Sequence, residues 1–138
     1  MDIAALKTEL TTDPLGLGLA GLSNQEAADK LNEVPTAPAV GRRLVREVIP
    51  TWEIFEATTA AEWTGLSANE KQRYQTMLAM GTVNIRQPNT RATLLAMFGP
   101  ATTTRANLDA LRYSSASRAM VLLGESVNYW DVANARLP

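Results

Sequence analysis

The sequence predicts an all-α protein: a compact orthogonal bundle of about seven or eight short helices, with at most a short extended segment near 44–49. Three observations carry this. Ser, Thr, Asp and Asn recur just ahead of apolar residues at helical spacing, where their side chains can take up the free N–H groups of a first turn. Three of these starts have Glu three residues later, the reciprocal capping pattern: Ser23 with Glu26, Thr59 with Glu62, and Ser67 with Glu70. Gly or Pro then closes several of the runs, as at Gly81, Gly99-Pro100 and Gly124.

Taken in order, Asp2 caps a helix to about Thr11 that carries Ile3, Leu6 and Leu10, and Asp13-Pro14 ends it. Residues 15–22 are glycine-rich yet apolar, a buried or half-buried loop. Ser23 opens a helix with Ala27, Ala28 and Leu31. Pro35 and Pro38 make 33–41 a loop. Residues 42–49 fit a short helix or an extended piece, and the extended reading is preferred because Pro50 biases Ile49 away from helix. Thr51 is expected to cap a helix through Ala57. The Ser67 helix runs to Met80 with Tyr74, Met77 and Leu78 on one side. Residues 83–88 connect to a helix begun by Asn89 or Thr90, and Thr103 or Thr104 begins the next, with Leu108 and Leu111. Ser114-Ser115 is a break or bend, Ser117 to Leu123 is helical, and Asn128 caps a last helix to Arg136. With no repeat and no linker between two self-sufficient cores, residues 1–138 are expected to form a single helical domain.

Composition narrows the chemistry. Of 138 residues, 46% are hydrophobic and 20% charged, enough apolar matter for a core. There is no Cys and no His. That removes thiolate nucleophiles, disulfides, the commonest metal ligands and the commonest general base near neutral pH, leaving only carboxylate and carbonyl sites for hard cations. No apolar run approaches the roughly 20 residues of a membrane span. The acidic start Met1-Asp2-Ile3-Ala4 is not expected to be a signal peptide. Net charge is −1, but residues 1–70 hold eleven acids and five bases, and residues 71–138 three acids and eight bases. Either the halves intermingle on folding, or they form opposite poles that favour head-to-tail contact between copies.

Several motifs invite a chemical reading. Gly16-x-Gly18-x-x-Gly21 matches the dinucleotide fingerprint, but a helix stop precedes it where a buried strand is required, so a close-packed turn is expected instead. Glu53, Glu56 and Glu62 lie near Trp52 and Trp63, a composition seen in glycoside chemistry. Acids in a first helical turn or a cap account for them without catalysis. Lys30 and Lys71 would need burial to act as bases, and Lys71 sits in a polar stretch. An enzyme is therefore not expected, and no cofactor or metal site is assigned. Arg42, Arg43 and Arg46 form a small basic cluster, and Arg105, Arg112 and Arg118 recur later. They suit surface salt bridges, or, as the second functional class, phosphate contacts. Trp52, Trp63 and Trp130 are the large anchors, of a residue type enriched at interfaces.

Short blocks across the chain carry a family likeness: Leu6-Lys7-Thr8-Glu9, Thr12-Asp13-Pro14-Leu15, Leu22-Ser23, Ala27-Ala28 with Leu31-Asn32, Leu66-Ser67 with Lys71-Gln72-Arg73, and Ser117-Arg118-Ala119 with Asp131-Val132. Together they resemble a family of small proteins encoded in the structural gene region of tailed double-stranded DNA bacteriophages, often near tail or tail-fibre genes. The resemblance implies a non-enzymatic virion protein, an adaptor or accessory of tail, baseplate or head-tail junction. It would be made in the host cytoplasm and would contact other virion proteins and further copies of itself in a ring, with no membrane partner. The alternative is a small nucleic-acid-binding or packaging-associated regulatory protein. The expected contact surfaces are the 42–52 segment (Arg42, Arg43, Arg46, Trp52) and the 129–138 tail (Tyr129, Trp130, Arg136).

Overall fold

The computed structural model describes residues 1–138 and is mostly helical, 55% helix with 10% strand. Nine α-helices are present: α1 Ile3–Thr12, α2 Asn24–Asn32, α3 Thr51–Ala57, α4 Ala60–Thr64, α5 Ala68–Leu78, α6 Pro88–Met97, α7 Thr103–Ala110, α8 Arg118–Leu123 and α9 Tyr129–Ala135. Four three-residue strands accompany them: β1 Arg43–Val45, β2 Val48–Pro50, β3 Thr82–Asn84 and β4 Tyr113–Ser115. No helix is long and apolar enough to cross a membrane.

Most helix starts lie where the sequence puts them. The Asp2 carboxylate accepts from the Ala5 N–H at 3.0 Å. The Ser23/Glu26 and Ser67/Glu70 boxes are reciprocal, as is a third at Asn128/Asp131. Thr59 caps α4, but its box is not reciprocal, because Glu62 turns instead to the Thr104 N–H at 3.0 Å. Thr51 does not cap α3: it is the first helical residue, and its hydroxyl donates to Gly81 O at 3.2 Å. α6 begins at Pro88, whose fixed φ and missing N–H suit a first helical position, rather than at Asn89 or Thr90.

The all-α expectation needs correction at the strands. The extended 44–49 segment is there, as β1 and β2, but each finds a partner that was read as a connector or bend. β2 pairs antiparallel with β3, placing Val48 opposite Asn84, Ile49 opposite Val83 and Pro50 opposite Thr82. β1 pairs with β4 in a second two-stranded sheet. Three-residue strands such as Thr-Val-Asn and Tyr-Ser-Ser are too short to show alternation, so only the pairing itself reveals them.

The chain divides into two compact units. Unit 1 is Met1–Leu44 with Ser114–Pro138, and unit 2 is Val45–Tyr113. Because unit 2 is inserted between two segments of unit 1, no linker composition marks the division. Each unit has its own apolar cluster. Unit 1 packs Leu6, Leu10, Leu19, Leu31 and Val132 with Ala27, Ala28, Ala119 and Ala135. Unit 2 packs Ile49, Ile54 and Met77 with Tyr74 and Phe98. The division also redistributes charge: unit 1 holds eight acids and six bases, unit 2 six acids and seven bases. The acidic and basic halves of the sequence are thus not the two units, because the acids between 47 and 70 fold in unit 2 together with the bases between 71 and 112.

Unit 1 is closed by long-range polar ties. The buried Glu9 carboxylate receives Arg118 through two bonds, Nε at 2.7 Å and Nη2 at 2.6 Å. The Asn32 amide both donates to Val127 O at 2.6 Å and accepts from Val127 N–H at 3.0 Å. In unit 2, the Tyr74 ring meets Trp63 at 5.2 Å and Phe98 edge-on at 6.2 Å.

Candidate functional site

The glycine motif resolves into structure rather than a cofactor loop. Asp13 ends α1 in the left-handed region at φ 40°, turning its carboxylate over the loop that follows. The N–H groups of Leu17, Gly18 and Leu19 donate to it at 2.8, 2.7 and 3.2 Å. Gly16 and Gly18 have φ of 65° and 77°, conformations that need glycine. These amides form the kind of concavity that elsewhere receives a phosphate, but here the chain's own carboxylate fills it. Burial works to raise the Asp13 pKa, and the three N–H groups outweigh it, holding the group below its ordinary value. The residue that ends α1 thus also organises the loop that follows it.

The acids near the tryptophans have three separate employments. Glu53 pairs with Arg46 at 2.6 Å. Glu62 accepts from the Thr59 hydroxyl at 2.9 Å and from the Thr104 N–H and hydroxyl at 3.0 and 3.3 Å. Burial raises the Glu62 pKa, but the Thr104 N–H and the threonine hydroxyls prevail and hold it below the usual carboxylate value. Glu56 is exposed on the rim of a groove described below. No group of three or more carboxylates converges as a metal site would require. Lys30 pairs with Glu33 at 2.7 Å, and the Lys71 ammonium stands 5.8 Å from the Trp63 ring centroid.

Of the arginines expected at an interface, three are engaged within their own unit. Arg42 donates to Glu33 O at 2.6 Å. Arg46 holds Glu53. Arg136 clamps the glycine-rich loop, with Nη1 on Leu22 O at 2.9 Å and Asn24 Oδ1 at 2.8 Å, and Nη2 on Leu19 O at 2.8 Å. Arg43 is half-buried in β1. The later basic residues are similarly employed: Arg118 on Glu9, Arg105 on Phe98 O at 3.0 Å, and Arg112 beside Asp109 at 3.8 Å.

The aromatic residues behave differently. Trp52 is 66% exposed, Phe55 61% and Trp130 71%. Their helices explain this. On α3 the buried positions are Thr51, Ile54 and Ala57, a three-residue stripe that leaves Trp52 and Phe55 together on the outer side. On α9 the buried positions are Val132 and Ala135, so Trp130 points outward, its ring meeting Tyr129 edge-on at 5.1 Å. Val45 and Val48 beside the first surface are also exposed. Trp63, by contrast, is half-buried against Tyr74. Phe55 escaped the sequence reading, although the Thr51, Ile54, Ala57 period already contained the signal.

Phe55 also borders a groove of about 460 Å³ lined by Trp63, Tyr74 and Leu78, with Glu56, Thr58, Ala60 and Gln75. A second, narrower cleft of about 50 Å³ lies among Ile49, Ile54, Leu94 and Leu108, with Arg91, Arg105 and Arg112 at its edge. Fold and surface together describe a mostly helical chain of two units, each with an exposed aromatic face. No family model, curated protein or solved structure is similar to it.

Proposed function

We propose that this chain is a non-enzymatic binding and assembly protein that works through its exposed aromatic faces, as a component of a tailed-bacteriophage particle. The virion setting rests on the sequence resemblance. The mode of action rests on one observation: Trp52, Phe55 and Trp130, rings that usually build a core, stand outside two well-packed units. Tryptophan and tyrosine bring large, rigid apolar area to an interface at small entropic cost, which is why they dominate binding hot spots. A role through chemistry is less well supported, since imidazole and thiol are absent from the sequence and Glu53 and Glu62 are tied into ion pairs and caps. Phosphate binding is also less well supported, because Arg42, Arg46, Arg105 and Arg118 already hold internal partners.

Mass spectrometry of purified particles tests the reading directly. The protein is expected in the particle at fixed stoichiometry, and its absence would refute the virion assignment. Truncating at Tyr129 is a poor probe of the tail, because Val132 and Ala135 belong to the unit 1 core. Trp130→Ala removes the exposed ring and leaves that core in place.

A further inference from the structure

The two outward faces differ in shape. Among the exposed residues of α9 and the two that follow it (Tyr129, Trp130, Asn134, Arg136 and Leu137), Trp130, Asn134 and Leu137 follow a spacing of four and then three. Arg136 keeps helical backbone geometry and the Leu137 N–H reaches Asn134 O at 3.2 Å, so the turn continues to Leu137 and the three form one ridge. That spacing is how a helix presents anchors to a hydrophobic groove. Unit 2 offers such a groove, the roughly 460 Å³ cleft walled by Phe55, Trp63, Tyr74 and Leu78.

Charge at the two features is complementary as well. The groove has an acid, Glu56, on its α3 side and a base, Lys71, beside Trp63. The ridge has next to Trp130 an acid, Asp131, a carboxylate that also accepts from the Asn128 N–H at 2.9 Å, and at its far end the Lys7 ammonium, held on Leu137 O at 2.7 Å. These charges would pair if Trp130 lay beside Trp63 and Lys71, with Leu137 and Lys7 toward Phe55 and Glu56.

We infer that the α9 ridge of one copy seats in the unit 2 groove of a second copy. This deepens the assembly role proposed above and rests on it. The contact joins two different surfaces and is therefore heterologous, so every copy that donates a ridge still offers an empty groove, and association propagates into a ring or an open chain. Trp130 supplies the apolar anchor and the ion pairs fix register, a division common at interfaces.

Sedimentation velocity of the full chain across a wide concentration range tests this. The wild-type protein self-associates, and Trp130→Ala and Phe55→Ala, both at exposed sites, each weaken association by about tenfold or more. Glu56→Lys weakens it too, and adding Lys7→Glu to the same chain restores part of the loss. Mixing the Trp130→Ala and Phe55→Ala proteins gives a one-to-one pair that grows no further, because one partner keeps its groove and the other its ridge. Self-association that neither aromatic variant weakens, or a mixture with no pair, overturns this contact and leaves the wider assembly reading to the particle measurement. A wild-type chain that stays monomeric at every concentration overturns it as well, and incorporation into particles would then have to proceed through other proteins alone.

Discussion

Unit 1 and unit 2 solve the same stabilisation problem with different materials. The core cluster of unit 1 is aliphatic, four of its members alanines, and its two chain segments are joined by specific polar ties across about a hundred residues of sequence. Unit 2 is one continuous segment whose core includes aromatic rings in tilted and edge-on contact. Small side chains let α1, α2, α8 and α9 approach closely, but they supply little transfer energy each. The Glu9–Arg118 pair and the Asn32–Val127 bonds then decide which segments meet. Large rings supply more apolar area per residue and leave irregular walls between them, and the wider groove of unit 2 lies among those walls.

The contrast can be broken at its most buried charge. Glu9→Ala strands Arg118 without its partner, and removing one member of a buried pair costs about 3–5 kcal/mol, read as a lower urea midpoint. Replacing both members with apolar residues of similar volume is expected to recover most of that loss, since desolvation offsets much of the pair's attraction. In unit 2 a comparable loss, about 3–5 kcal/mol, should require a core ring instead, as in Phe98→Ala. If Glu9→Ala proves nearly neutral, the polar closure of unit 1 is wrong.

A smaller effect is expected at Asp13. Asp13→Ala leaves three loop N–H groups without their common acceptor, a loss of about 1 kcal/mol because water can reach part of the site. The pH dependence has a definite sign. The Asp13 pKa is lowered on folding, so its contribution is fully present above the ordinary carboxylate value of 3.8 and fades as pH falls through the lower folded value. Acid titration of the Asp13→Ala protein should therefore show a shallower loss of stability at low pH than the parent. The smallest effect belongs to the half-exposed Arg46–Glu53 pair of unit 2, where Arg46→Ala should cost about 1 kcal/mol or less. Urea midpoints for Arg46→Ala and Glu9→Ala, measured side by side, sharpen the difference between a solvated pair and a buried one.

Much of the helical framework is legible in the sequence, because caps are local chemistry. Asp2, Ser23, Ser67, Ser117 and Asn128 each lie next to the helix they start. The extended character around 44–49 is legible too, from Pro50. What pairs with that segment is not, since β3 and β4 lie far along the chain and are too short to carry a pattern. The division into units is also hidden, because unit 1 is assembled from both chain ends. At the candidate surfaces, Trp52 and Trp130 could be singled out by residue type, and Phe55 by its position relative to Ile54 and Ala57. That Arg42, Arg46 and Arg136 would bind partners of their own unit depends on carbonyls and carboxylates supplied by the fold, to which composition gives no guide.

The proposed role has the exposed rings serve binding and not folding. A single chain carrying Trp52→Ala, Phe55→Ala and Trp130→Ala separates the two most directly, with denaturation and particle incorporation measured on the same protein. The predicted result is a urea midpoint close to the parent's, with incorporation lost. A variant that unfolds readily, or one that enters particles as well as the parent does, would contradict the claim.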